Sequence, residues 1–471
     1  MNKIGKNLIY QSSYQVLKIL MPLITVPIVS HALGASGIGT YAYSNSITQY
    51  FVLITSLGLP LYGTREIARA EDNKIELSQK FWTLEGFSLI LTGLVLVLYF
   101  IVGYTFNLGS IFYIQSLLVL AAGLDVSWFF MGREDFKMLS LVNFSIQVIS
   151  FLVIVTQINN SKDLIKYAVI LTLTTVVGSI VMWALLKDKL VFIKPQGIKM
   201  WEALKGSAVL FVPQVAIVMY TNLNKTILGT LRDSAEVGIF SNAVMVTSVF
   251  VTLISSIDTV LMPHATKLFN KKKHDEGYSM IQNVLNLEIF FTIAIAAGII
   301  ALSKKLIPWF FGSTFNGMWI VLSIISILVI VIPGGMTISR QFLIPLNRIK
   351  EYNRSVYFGA IVSVFLNLLF IPIMGVIGAA IVSVIAETLI WIIRVIDFWK
   401  KTGLTYSIRQ VLFNILSALI MVLIITISTD NLSASMLTTV IQVVIGIIVY
   451  MIMTVILKVN PLIGFLNKDR K

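Results

Sequence analysis

Long apolar runs follow one another along almost the whole chain, separated by short polar or basic segments. Runs of about 20 apolar residues cross about 30 Å of hydrocarbon as α-helices. The pattern therefore predicts an all-α membrane protein with about fourteen transmembrane helices and no soluble domain. The predicted spans are 8–32, 39–60, 82–104, 110–131, 139–158, 166–186, 206–228, 238–262, 281–303, 317–337, 355–372, 376–397, 409–428 and 436–457.

Basic residues fall mainly in alternate loops of this pattern. With the N-terminus inside, 28 of the 36 Lys and Arg residues lie in cytoplasmic segments and five lie in outer loops. Cytoplasmic loops of membrane proteins carry the excess of Lys and Arg. Both termini are therefore expected in the cytoplasm (N-in, C-in). The net charge of +14 is explained by this topology, so nucleic acid is not an expected partner.

Two similar segments suggest an internal repeat. The first, LGASGIGTYAYSN, occupies 33–45, and the second, LGTLRDSAEVGIFSNA, occupies 228–243. An even number of helices in each half would make the repeat parallel, with its axis along the membrane normal. We expect two pseudo-symmetric six-helix bundles that rock about a central cavity, followed by two additional helices and a cytoplasmic tail. The expected domains are 1–190, 191–402 and 403–471.

The composition excludes several kinds of chemistry. The chain has no cysteine, and its three histidines are scattered without metal-ligand spacing. Disulfides, thiolate sites and histidine-based metal centres are therefore not expected. No GxxxxGK[ST] loop for a nucleotide is present. We expect no cofactor, and a secondary transporter rather than an ATP-driven pump.

Polar side chains are concentrated in the second, seventh and eighth predicted spans. Facing lipid, these groups would lack hydrogen-bond partners, so they are expected to face other helices or water. Hydrogen bonds between helices would account for many of the hydroxyls. The matching polarity of the second and eighth spans favours a hydrated cavity. The candidate lining residues are Tyr41, Asn45, Gln49, Asn222, Asn224 and Asn242.

Charged side chains inside the predicted spans are the strongest functional signal. A charge at the centre of a membrane helix costs about 2.5–3.5 kcal/mol on insertion scales. Lys18 and Lys225 either extend to the headgroups or line a cavity, and both alternatives stay open. The candidates for ion coupling or internal charge pairing are Asp125, Glu288, Glu387 and Arg394.

Several longer segments, in chain order, resemble one known family. They are LGLPLYGTREIAR, GLDVSWFFMGREDFK, NLNKTILG, SAEVGIFSNA, QFLIPLNRIKEYNRS and LNLLFIPIMGVIGAAIVSVIAE. The chain resembles the lipid-linked oligosaccharide flippases of bacterial polysaccharide synthesis (Wzx-type), within the multidrug/oligosaccharidyl-lipid/polysaccharide exporter superfamily. The resemblance extends over about residues 5–455.

The resemblance implies a fold of two six-helix bundles around a cavity. It also implies translocation of undecaprenyl-diphosphate-linked repeat units across the bacterial cytoplasmic membrane, for capsule, exopolysaccharide or O-antigen synthesis. The implied partners are the lipid-linked oligosaccharide, the bilayer, and the polymerase and glycosyltransferases of the same pathway.

The resemblance also implies roles for individual residues. Cationic residues in the family's cavity contact the diphosphate, and a cytoplasmic gate is expected in the loop motifs. One departure is Asn224, where the family often has Asp, so that Lys225 lacks its neighbouring counter-ion. The positions that match are Lys18, Lys225 and Arg340 for phosphate contact, and Arg65, Glu66 and Arg133 for the gate.

Two other functions are alternatives to flipping. A cation-coupled drug exporter of the same superfamily would be expected to present carboxylates to its substrate, whereas these spans are biased toward cations. A membrane polysaccharide polymerase would need a large outer loop with acid/base chemistry. The longest predicted outer loop, 304–316, has neither a histidine nor paired carboxylates, so an enzyme is not expected.

Overall fold

A computed structural model describes the main chain of residues 3–70 and 73–462, and its side chains except 3–20, 209, 210, 212, 213, 216 and 220. Within this part of the chain every regular element is a helix. The α-helices are α1 Lys3–Ser56, α2 Leu59–Ala68, α3 Lys74–Thr105, α4 Gly109–Gly123, α5 Ser127–Gly132, α6 Phe136–Gln157, α7 Leu164–Ala184, α8 Gly197–Leu231, α9 Ser234–Asn270, α10 His274–Phe310, α11 Met318–Ile325, α12 Leu328–Ile338, α13 Ile349–Thr402, α14 Ile408–Thr429 and α15 Met436–Ile456.

Two of these helices are each broken by one glycine. Gly34 in α1 has φ 67° and ψ 179°, and Gly375 in α13 has φ 56° and ψ −133°. A positive φ is strained for side chains with a Cβ, so glycine can redirect the chain within one residue. The separate loop predicted after residue 32 is therefore wrong, because the helix resumes directly after Gly34.

Eleven helical segments in the described residues are long and apolar enough to cross a membrane. Two of them, Met21–Ala68 and Ile349–Thr402, are more than twice the about 20 residues that one crossing needs. The prediction of a multi-pass, all-α membrane protein is therefore confirmed. The count of fourteen spans and the N-in, C-in orientation remain predictions.

The chain divides into two compact units, which we describe separately. Unit 1 comprises Met1–Gly229 and Asp233–Val237, and unit 2 comprises Thr230–Arg232 and Gly238–Lys471. Helix α8 thus belongs almost entirely to unit 1. The sequence-based division into three domains is a different partition and stays a prediction.

In unit 1, the short helices α2 and α5 pack closely together. They carry two of the motifs on which the family resemblance rests. A Cβ atom at Gly63 would lie 2.7 Å from the ring of Trp128, and one at Gly132 would lie 2.8 Å from the side chain of Ile67. Only glycine fits at such separations, so these glycines allow the two motifs to meet.

In unit 2, helix α10 packs against α12, α14 and α15. The hydroxyl of Tyr450 on α15 donates to the Phe290 carbonyl on α10 at 2.8 Å, and Gln442 on α15 donates to Thr429 on α14 at 2.8 Å. Helix α12 leads into a π-helical turn at Ser339–Leu343. Such turns are rare and frequently lie at functional sites.

Candidate functional site

Polar residues on one side of α1 bond to neighbouring helices of unit 1. The Ser44 and Thr48 hydroxyls lie 2.8 and 3.1 Å from Oε1 of Gln115 on α4. Thr48 also lies 2.8 Å from the Tyr99 hydroxyl, which donates to the Phe112 carbonyl. The side chains of Ser44, Thr48, Tyr99 and Gln115 are all buried. Hydrogen bonding between helices therefore explains this part of the second predicted span.

Another set of α1 residues contacts α8, the helix of the NKTILG motif. The hydroxyl of Thr226 lies 2.9 Å from that of Ser46 and 3.1 Å from that of Tyr50. At Gly229 a Cβ would lie 2.2 Å from the Tyr43 ring, so glycine is needed for this close approach. These contacts place the Lys225 segment directly beside the polar half of α1.

A cavity of about 590 Å³, lined by both apolar and polar side chains, lies within unit 1 and brings together two predicted site residues, Gln49 and Asp125. Asp125 accepts hydrogen bonds from the backbone N and the hydroxyl of Ser127 at 2.9 and 3.0 Å. Of the other predicted lining residues, Tyr41 contacts the Tyr167 ring edge-on at 5.2 Å, and Asn45 is half-buried. Further polar residues that line the cavity are Asn143, Gln147, Ser150, Thr174, Thr175 and Ser179.

Lys225 is half-buried on α8, next to the buried side chain of Asn224. No acidic side chain of the described residues forms an ion pair with its ammonium group. Asn224, where the family often has Asp, carries no charge that could pair with Lys225. The second predicted phosphate contact, Lys18, lies in the part of α1 whose side chains are outside the described residues.

The remaining predicted residues of unit 1 have more local surroundings. The Asn222 amide donates to the Val218 carbonyl in its own helix at 3.1 Å. Glu66 lies 3.8 Å from Arg65 and 3.4 Å from Arg69, in an exposed group of charges on and just beyond α2. Arg133 is half-buried at the C-terminal end of α5. The gate role of these charges stays a proposal.

Arg340 and Arg394 reach neighbouring helices in unit 2. Arg340, in the π-helical turn, donates to the Ser255 carbonyl at 3.2 Å and to the Thr259 hydroxyl at 3.1 Å, both on α9. Arg394 is buried and donates to the Gly335 carbonyl and to the Ser355 hydroxyl, each at 3.0 Å. Arg394 is therefore anchored next to the π-helical turn, and its role in ion coupling or internal charge pairing stays a proposal.

Two further predicted residues of unit 2 are Asn242 and Glu387. Asn242 is buried on α9, and Glu387 is half-buried on α13. Both interact with other residues of the protein. Their roles in cavity lining and ion coupling stay proposals.

Glu288 is part of a buried acidic group that joins three helices of unit 2. Its two carboxylate oxygens lie 2.8 and 2.7 Å from the hydroxyl of Thr337 on α12. Asp258 on α9 lies 2.7 Å from the same hydroxyl. The Gln341 amide donates to that Asp258 oxygen at 2.8 Å. Only Glu288 of these four was a predicted site residue.

The residues missed by the sequence analysis are single polar groups in apolar helices. From the sequence, Asp258 and Glu85 fall near the cytoplasmic ends of the predicted spans 238–262 and 82–104, where contact with the headgroups is the simpler interpretation. In the structure both are buried, and neither carboxylate oxygen of Glu85 has a hydrogen-bond partner among the described residues. A lone acid in an apolar run was the available signal, but its partner on another helix could not be identified from spacing.

Comparison with known proteins gives one family and one fold. The sequence profile of the polysaccharide biosynthesis protein family matches residues 4–269, more than half of the chain. A protein of Escherichia coli (strain K12) named "Putative O-antigen transporter" is 23% identical over 397 residues, which cover 82% of this chain and 94% of the relative.

Two solved structures are similar over most of the chain. The lipid II flippase MurJ, in an inward closed conformation, has a TM-score of 0.74 at 19% identity and covers 95% of this chain and 98% of its own. An inward-facing multidrug resistance transporter of the MATE family has a TM-score of 0.65 at 14% identity, over 84% and 98% of the two chains. These likenesses confirm the transporter fold that the sequence predicted.

Proposed function

Since the chain belongs to the polysaccharide biosynthesis protein family, we propose that it is a lipid-linked oligosaccharide flippase. It moves undecaprenyl-diphosphate-linked repeat units from the inner to the outer leaflet of the bacterial cytoplasmic membrane and catalyses no covalent step. The Escherichia coli relative is named for O-antigen transport and the structural neighbour for flipping lipid II, which supports this class of cargo.

The observation that carries the proposal is the ammonium group of Lys225. A half-buried cation without an acidic partner is costly in an apolar environment unless another anion reaches it. A diphosphate offers several charged oxygens, and hydrogen bonds between ionised groups are stronger than neutral ones. Lys225 therefore fits a transient contact to the diphosphate.

The absence of a permanent counter-ion matters for turnover. A lysine already paired with a carboxylate would have to break that pair before it could bind phosphate. Lys225 has no such pair among the described residues. Phosphate therefore replaces only water at the ammonium group when it binds, and water replaces phosphate when it leaves. We assign Lys18 and Arg340 the same kind of role as further cations, and Arg65, Glu66 and Arg133 the role of a cytoplasmic gate.

The membrane potential gives such a carrier a direction. Moving a negative charge outward across an inside-negative membrane is favourable by about 2.3 kcal/mol per charge per 100 mV. A diphosphate-linked substrate therefore gains free energy from the potential alone. This energy source fits a chain in which no GxxxxGK[ST] loop occurs.

The test is complementation of a deletion strain, with surface polysaccharide and inner-leaflet lipid-linked repeat units measured together. Lys225→Met should lower surface polysaccharide and raise the trapped intermediate, whereas Lys225→Arg should restore much of the activity because it keeps the charge. Thr226→Val is the matched control, because it removes the α1–α8 hydrogen bonds and leaves the ammonium group. Full activity of Lys225→Met, or equal loss in the control, would refute the role of the charge.

The same strains separate flipping from drug export. If the protein exports drugs, the deletion should increase drug susceptibility and leave polysaccharide unchanged. The proposal predicts the opposite pattern.

A further inference from the structure

The buried acidic group of unit 2 contains more acceptors than hydrogens. Three carboxylate oxygens, one from Asp258 and two from Glu288, lie within 2.7–2.8 Å of the Thr337 hydroxyl. A hydroxyl has a single hydrogen to donate. With both acids ionised, only one carboxylate can receive that hydrogen, and the other would face the hydroxyl oxygen without a bond. A second hydrogen between these atoms removes the conflict.

Two neighbouring buried acceptors also lack a hydrogen. Oδ2 of Asp258 and Oε1 of Gln341 are both buried and have no hydrogen-bond partner among the described residues. Gln341 is fully buried, and its amide nitrogen already holds the other oxygen of Asp258 at 2.8 Å. Because both atoms belong to one amide group, the unpartnered oxygen of Gln341 also lies next to the acidic group. Buried acceptors of this kind are normally satisfied, so the acidic group has fewer hydrogens than its buried acceptors require, in addition to the conflict at Thr337.

The surrounding charges do not neutralise two carboxylates. Arg340 interacts with Asp258 electrostatically, but no ion pair to Asp258 or Glu288 forms within the described residues. Arg394 on α13 is occupied by the Gly335 carbonyl and the Ser355 hydroxyl. Among the described residues, Tyr406 before α14 interacts electrostatically with both acids, and Tyr450 on α15 bonds to the backbone of α10. Glu387 is half-buried on α13, the helix that packs against α12, and interacts with other residues.

We propose that Asp258 and Glu288 together bind one exchangeable proton, and that this proton fastens α9, α10 and α12 through Thr337. One carboxylic acid donates to the Thr337 oxygen while the Thr337 hydroxyl donates to the remaining carboxylate, so each hydrogen has one donor and one acceptor. Two adjacent buried carboxylates share a proton because both cannot ionise cheaply. When the proton leaves to water, two like charges flank one hydroxyl, and the helices lose this connection.

The proton also makes unit 2 sensitive to pH. The folded pair keeps a proton that the same acids give up to water in an unfolded chain at neutral pH. Since the folded state then binds more protons than the unfolded state, stability falls as pH rises. Proton binding by unit 2 is measured without substrate, so its failure would leave the proposed flippase function untouched.

The experiment is infrared spectroscopy of the purified full-length protein in lipid nanodiscs, in the carbonyl-stretch region of protonated carboxylic acids. The difference spectrum between wild type and Glu288→Gln at neutral pH should contain a lost carboxylic-acid band, and Asp258→Asn should lose the same band. Either substitution removes the pair, so one well-folded variant is sufficient. The matched control is Glu276→Gln on the same helix, where an exposed acid pairs with Lys273 at 2.7 Å.

Thermal unfolding across a pH series supplies the second measurement. Wild type should lose stability as pH rises, whereas Glu288→Gln should lose most of this pH dependence because its amide donates a hydrogen at every pH. Control Glu276→Gln should behave as wild type. An unchanged carboxylic-acid band in both variants would overturn the proposal. So would a wild-type response to sodium or potassium chloride at fixed pH that replaces the pH response, since the group would then bind a metal cation.

Discussion

The hydrogen bonds of Gln115 allow a quantitative test of whether the polar face of α1 is structural. In Gln115→Leu, the Ser44 hydroxyl loses its one acceptor among the described residues, while Thr48 keeps the Ser44 carbonyl at 2.9 Å and the Tyr99 hydroxyl. One buried hydroxyl is therefore left without a partner, which costs about 1–3 kcal/mol. For a unit of this size, that cost lowers the melting temperature by about 2–12 °C.

The assay is thermal unfolding of the purified protein in detergent, with a double-mutant cycle. Adding Ser44→Ala to Gln115→Leu removes the orphaned hydroxyl and should recover most of the lost stability, because two apolar partners replace a bonded polar pair. Ser116→Ala on the same helix is the control, since its hydroxyl bonds only within α4. Unchanged stability of Gln115→Leu together with lost polysaccharide export would refute the structural explanation and assign Gln115 to the substrate.

Other packing predictions can be checked in the same unfolding assay. Gly63→Ala should destabilise unit 1, because its Cβ would overlap the Trp128 ring, whereas Gly93→Ala on α3 meets no atom within 4 Å and should be neutral or slightly stabilising. Equal melting temperatures for the two alanine variants would contradict the close contact. Arg394→Lys should lower the free energy of unfolding by about 1–3 kcal/mol, because an ammonium group cannot reproduce the guanidinium bonds to the Gly335 carbonyl and its neighbours. A variant as stable as wild type would show that the planar geometry of the guanidinium group is unimportant here.

The sequence predicted the fold class because membrane-spanning helices follow from apolar length alone. It also indicated that the segment near Gly34 turns the chain, although it predicted a loop where one glycine with positive φ is sufficient. A local pattern shows that a turn exists, but the number of residues in it depends on how the two helix halves pack.

The candidate site was less predictable, because its residues are joined across helices that are distant in sequence. The polarity of the second span was visible, yet the pairing of Ser44 and Thr48 with Gln115 was not. Glu288 was identified as an isolated acid, whereas its contact with Asp258 through Thr337 required coordinates. Spacing gives the position of a residue along one helix and carries no information about which neighbouring helix it faces.

The most direct test of the central claim is transport by the purified protein. A fluorescently labelled undecaprenyl-diphosphate oligosaccharide is placed in the inner leaflet of proteoliposomes, and its arrival in the outer leaflet is followed with a membrane-impermeant quencher. Loss of one hydrogen bond to a charged group, about 1.5–3 kcal/mol, predicts flipping about 10–150-fold slower in Lys225→Met than in wild type. Flipping by wild type no faster than in protein-free liposomes, or equal rates for the two proteins, would contradict the account.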